Sequence, residues 1–90
     1  MARVAVIAKV FPDSPEVSLS DLLDNIKSSL PEGFEVVGSG EEPIAFGLKA
    51  LKVIVAIPEE TEGGTEKLEE ILRGVDRVQE VEIEGVTRIS

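Results

Sequence analysis

The stretch AFGLKALKVIVAIPEETEGGTEKLEEILRGV, Ala45–Val75, changes its apolar period part-way along, and that change decides the fold. From about Ala45 to Ile57 the pattern alternates: Leu51, Val53, Val55 and Ile57 share a face, with Lys49 on the same alternation farther back. A period of two is that of a strand, whose successive side chains point to opposite faces. Pro58, which has no N–H to give to a ladder, closes it. Beyond the acidic loop Glu59-Glu60-Thr61-Glu62-Gly63-Gly64, Thr65 is expected to cap a helix. Its Leu68, Ile71, Leu72 and Val75 repeat at i, i+3, i+4 and i+7, the spacing of one helical stripe, and Gly74 is expected to end it.

The same strand-then-helix change occurs earlier in the chain. In RVAVIAKVF, residues 3–11, Val4, Val6, Ala8 and Val10 share a face, Arg3 and Lys9 lie on the other, and Pro12 ends the strand. Ser18 is then placed to cap a helix, with Asp21 three residues on and Leu19, Leu22, Leu23, Ile26 and Leu30 forming the apolar stripe. Pro31 and Gly33 stop it. Phe34 to Val37 reads as a short strand running into Gly38-Ser39-Gly40, where a bulge or turn is expected. Near the end, Val81 and Ile83 alternate with Glu80, Glu82 and Glu84, and Gly85 breaks the phase before Val86 and Ile89, so the last strand should be kinked.

The order strand, helix, strand, strand, helix, strand is two β-α-β units. Right-handed crossovers then put both helices on one face of the sheet. The expected fold is α+β: a ferredoxin-like βαββαβ sandwich with a four-stranded antiparallel sheet, occupying residues 1–90 as a single domain. Val4, Val6, Leu22, Leu23, Ile26, Val53, Val55, Leu68, Ile71 and Leu72 should share its core. The other sheet face has no helix to cover it and must be tolerably polar or meet a partner.

Composition narrows the function. The 90 residues carry 18 acidic and 9 basic side chains, a net charge of −9 that repels a nucleic acid backbone. An RNA-reading sheet of this fold also needs aromatic residues and a basic surface, whereas the chain has 3 Phe and neither Tyr nor Trp. With no Cys and no His, a disulfide framework, a cysteine nucleophile, a Ser-His-Asp triad and an ordinary zinc site are all excluded. The longest apolar runs, Val4–Ala8 and Val53–Ile57, fall far short of the roughly 20 residues that span a bilayer. A cytoplasmic protein with no cofactor, no nucleic acid partner and no membrane partner is the expectation.

Few constellations stand out. Gly63-Gly64-Thr65 opens a helix, where free N–H groups attract anions, but no GxxxxGK[ST] surrounds it and glutamates precede it, so capping is the favoured reading. Glu59, Glu60 and Glu62 lack the D-x-[DN]-x-[DN]-G spacing of a calcium loop and read as a solvated loop. No carboxylate has a context that points to acid–base chemistry. Pro43 and Gly47, by contrast, bracket Phe46 where a buried strand would not want them, which places this aromatic at a bend near the sheet's edge. The residues leave two readings of Phe46: packed under a loop, or presented to a partner.

The segment Pro43-Ile44-Ala45-Phe46-Gly47-Leu48-Lys49-Ala50-Leu51 resembles the signature of the elongation factor 1-beta family, guanine nucleotide exchange factors for elongation factor 1-alpha. The resemblance continues through the acidic loop into Gly64-Thr65-Glu66 and Val78-Gln79, and near the start through Lys9 and Pro12-Asp13. It covers nearly the whole chain and is similar to the archaeal type, in which the exchange module stands alone. The resemblance implies a ferredoxin-like fold, a GTPase partner that itself binds GDP, GTP and Mg²⁺, and no covalent chemistry. It further implies that Phe46 and Arg88 enter the GTPase near its nucleotide and Mg²⁺ sites, with Pro43, Gly47 and Lys49 among the contacting residues. Eukaryotic members end in a lysine and one aliphatic residue, where this chain has Arg88-Ile89-Ser90; the charge is kept in a broader, more directional group. The runner-up, from the fold alone, is a ferredoxin-like regulatory module that binds a small molecule and pairs through its open sheet face.

Overall fold

The computed structural model describes residues 2–89 and holds, in chain order, β1 (Arg3–Pro12), α1 (Leu19–Ser29), β2 (Glu35–Pro43), β3 (Lys49–Pro58), α2 (Gly64–Arg73) and β4 (Val78–Arg88). The strands form one four-stranded antiparallel sheet in the order β2-β3-β1-β4. This is the expected α+β ferredoxin-like sandwich.

The core lies between one sheet face and the helices. Val6, Ala8 and Val10 of β1 stand opposite Val55, Val53 and Leu51 of β3, and this patch meets Leu22 and Ile26 of α1 and Leu68 and Leu72 of α2. Each fully buried Leu or Ile contributes about 1.5–3 kcal/mol. Val4 and Leu23 pack at its margin, and Ile71, expected inside, is only half-buried because the α2 stripe that reaches the sheet runs through Leu68, Leu72 and Val75.

Local chemistry sets the element ends. Ser18 caps α1 as expected, its hydroxyl accepting from the Asp21 N–H at 3.3 Å. In α2 the cap is not Thr65: Gly63 holds that position with φ 86 and no side-chain bond, and Thr65 lies in the first turn. Gly63 and Gly64 both adopt positive φ, a tight entry that leaves no place for a side-chain cap. Gly74 ends α2, its N–H donating to the Glu70 and Ile71 carbonyls at 3.2 and 3.1 Å.

Two strands differ from expectation. β2 is not confined to residues 34–37 but runs to Pro43, and β3 starts at Lys49, not Ala45. Residues 38–42 carry no apolar alternation, being glycine, serine and glutamate only; Ser39, on the helix side, is exposed beside Leu19 and Leu23 of α1. Main-chain pairing to β3 holds this half of β2. Val37 bulges between the Val36–Val55 and Gly38–Ile54 pairs. In β4 the extra residue is Glu84, between the Ile83–Ala8 and Gly85–Ile7 pairs, so the expected kink is a bulge next to Gly85.

On the uncovered sheet face, Ala5, Ala50 and Ala56 are buried by their neighbours, and an ion network crosses the strands. Lys9 Nζ lies 3.0 Å from Glu42 Oε2 and 3.6 Å from Glu84 Oε2, and Lys52 Nζ lies 3.2 Å from Glu84 Oε1. Glu42 Oε2 is covered and has no hydrogen-bond donor, so the Lys9 ammonium is what compensates its charge. That contact with Lys9 holds the Glu42 carboxyl below its ordinary range, and Glu42 in turn raises Lys9. A lowered carboxyl stabilises the fold above the ordinary carboxylate range and ceases to as pH falls through its own value; a raised ammonium does so below the ordinary lysine range. The melting-temperature difference between the protein and Glu42→Gln should therefore hold steady around neutral pH and close on acidification, as circular-dichroism melts would show.

Candidate functional site

β2 and β3 are joined by a hairpin whose tip is a tight turn over residues 45–48. The Leu48 N–H donates to the Ala45 carbonyl at 2.8 Å, and the Ile44 N–H donates to the Leu48 carbonyl at 2.9 Å. The central residues, Phe46 and Gly47, have φ of 53 and 78, the paired positive values of a type I′ turn. Asn-Gly is the favoured pair there. Phenylalanine in the left-handed region is strained by roughly 1–3 kcal/mol, and nothing in the fold offsets this, because Phe46 is fully exposed (101%). Of the two readings of Phe46, packing under a loop is thereby set aside. Ile44 and Leu48 beside it are also exposed, so the tip is an apolar point at the end of a hairpin.

Pro43 and Lys49 are the paired ends of the two strands, which frame the turn. Lys49 Nζ lies 3.4 Å from Glu41 Oε1. Gly47, Lys49 and Glu41 also wall a groove of about 310 Å³ whose other side is Pro12, Pro15, Val17 and Leu19. Asp13 holds this end of the fold together. Its carboxylate accepts from Arg77 Nε at 2.9 and 3.1 Å, and its N–H donates to the Arg77 carbonyl at 2.9 Å.

Arg88 lies elsewhere. It pairs with Val4 at the start of β1, whereas the hairpin sits beyond the other end of that strand, near Pro12. At about 3.3 Å per residue, the β1 stretch between Val4 and Pro12 separates the two by roughly 25 Å. Pro43, Phe46, Gly47 and Lys49 thus form one cluster, and Arg88 is a second point at the opposite end of the sheet. The Arg88 side chain is 67% exposed and its guanidinium contacts one carboxylate, that of Glu59. Glu59, expected in a solvated loop, instead pairs with Arg88; its position immediately after β3, which ends beside β4's partner strand β1, is the one signal for that pairing.

Among the described residues, no group of acidic side chains is arranged to hold a metal ion, and no helix is long and apolar enough to cross a membrane. What the geometry offers is two exposed groups, one apolar and one cationic, at opposite ends of a single sheet.

In overall fold the chain is similar to the solution structure of the C-terminal domain of the MgtC protein from Mycobacterium tuberculosis, with a TM-score of 0.54 over 93% of this chain and 86% of that one. At 17% identity this likeness concerns the fold alone. Much stronger is the similarity to proteins named Elongation factor 1-beta: 61% identity in Ignicoccus hospitalis over 100% of this chain and 96% of the relative. The corresponding protein of Hyperthermus butylicus is 57% identical over 100% and 98%, and that of Aeropyrum pernix 56% over 99% of each. The family model described as the EF-1 guanine nucleotide exchange domain matches residues 5–89, nearly all of the chain and both ends of the sheet, and the chain belongs to that family.

Proposed function

We infer that this protein accelerates GDP release from elongation factor 1-alpha, and so its loading with GTP, during protein synthesis in the cytoplasm. The observation that carries the reading is Phe46: a strained, solvated aromatic at the tip of a hairpin has no role in the fold and is presented for a partner. Exchange requires no covalent chemistry from this chain. A protein that binds the nucleotide-free GTPase better than the loaded form lowers nucleotide affinity by that same factor. GDP, GTP and Mg²⁺ belong to the partner, and neither nucleic acid nor membrane takes part.

The separation of the contact points divides the work. Roughly 25 Å is wider than a nucleotide site, so Phe46 and Arg88 engage different parts of the GTPase. Arg88 has the chemistry for the Mg²⁺ and phosphate region, where a guanidinium weakens a bound cation by repulsion and offers its own charge to the phosphates. Phe46, with Ile44 and Leu48 beside it, has the chemistry of an anchor in an apolar pocket.

The direct test is release of labelled GDP from the cognate elongation factor with and without this protein. Faster release that saturates with added protein is expected. A rate unchanged at all concentrations would reject the reading, and a melting-temperature shift with a small metabolite in the absence of any GTPase would favour a regulatory module instead.

A further inference from the structure

We propose that Glu59 restrains Arg88: in the free protein its carboxylate holds the guanidinium, and that contact must open before Arg88 engages the GTPase. This rests on the reading above that Arg88 acts on the partner. The pair is preset by the backbone at the end of the sheet. The Glu59 N–H donates to the Ala2 carbonyl at 3.1 Å, directly after the Pro58–Arg3 pair, and the Ile89 N–H donates to the Arg3 carbonyl at 3.1 Å. Both side chains therefore leave main chain that is pinned to the first residues of β1. The neighbouring cation, Arg3, is engaged by Glu35 at 3.1 Å and does not compete for Glu59. The Glu59 side chain is 37% exposed against 67% for Arg88, so the acid is the more covered member and the base the one more open to a partner.

An exposed pair of this kind is weak, and that weakness sets the size of the effect. When the competent form, with Arg88 released, is only a fraction of the population, the apparent affinity for the partner is reduced by that fraction. At the upper end for exposed pairs the reduction is about five-fold. Glu59 is thus a positioning residue, and it tunes exchange without touching nucleotide.

The experiment follows Mg²⁺-dependent release of labelled GDP from the cognate elongation factor with the full chain and its Glu59→Gln, Glu59→Ala, Arg88→Ala and Glu59→Gln/Arg88→Ala variants. Glu59→Gln and Glu59→Ala are expected to raise kcat/KM about two- to five-fold, through KM, while the double variant behaves as Arg88→Ala alone. The gain should vanish when Mg²⁺ is chelated, a dependence that a purely structural effect of Glu59 would not show. If Arg88→Ala is impaired but the Glu59 variants are unchanged or slower, or if their gain persists without Arg88, the restraint is overturned while the role of Arg88 stands. If Arg88→Ala is itself fully active, the underlying reading of Arg88 fails and the restraint falls with it.

Discussion

Phe46→Ala is expected to lower catalysed GDP release by about 30-fold or more, the loss typical of removing an aromatic anchor worth at least about 2 kcal/mol at an interface. The fold should not suffer, because the ring of Phe46 is fully exposed and buries nothing within the protein. Phe46→Gly sharpens the test. Glycine adopts positive φ without penalty, so relief of about 1 kcal/mol of strain should raise the melting temperature by a few degrees in a domain of this size. A variant that is more stable yet much less active would separate the needs of the turn from those of the partner. If instead Phe46→Ala melts far below the native protein, the ring packs in the fold after all; if it exchanges normally, the anchor lies elsewhere.

Arg88→Ala is expected to lose most of the Mg²⁺-dependent acceleration while keeping its melting temperature. An exposed pair such as Arg88–Glu59 contributes only about 0–1 kcal/mol, so its removal costs little stability. A cation about 4 Å from another is opposed by about 1 kcal/mol in water and about 4 at an effective dielectric of 20. The second figure equals the barrier reduction for a thousandfold faster release. We therefore expect a loss of tenfold or more, greatest if docking excludes water. Chelation of Mg²⁺ should shrink the difference, since the task of Arg88 is then already done, and Arg88→Lys should retain much of the activity. Equal rates for Arg88→Ala and native protein in Mg²⁺ would leave Phe46 as the sole candidate.

The two crossover units were legible because each buries a stripe: Leu22 and Ile26 repeat with helical spacing, Val53 and Val55 with strand spacing, and burial enforces those periods. Where burial stops, so does the signal. The second half of β2, Gly38-Ser39-Gly40-Glu41-Glu42, offers no apolar side chain to the core and is fixed by main-chain pairing, which leaves no side-chain pattern to read. The turn at Phe46 was legible only as a disturbance, since phenylalanine is not a residue that propensity would place at positive φ. For the site, the alternation could show that Arg88 ends a strand, but the distance between Arg88 and Phe46 depends on strand order, and the pairing with Glu59 depends on which strands adjoin.

The positions of the register irregularities have a consequence for solubility. All three sit on the outer strands, at Val37 in β2 and at Gln79 and Glu84 in β4, while the inner pair β1 and β3 runs in unbroken register. An outer strand offers unpaired N–H and C=O groups to any other copy that meets it, and a straight apolar one invites endless edge-to-edge stacking. Here each rim is bent out of true, and each carries glutamates, Glu35, Glu41 and Glu42 on one side and Glu80, Glu82 and Glu84 on the other. A second sheet brought alongside meets a broken ladder and like charge together. A chain that is 42% hydrophobic can thus be crowded without polymerising through its own edges.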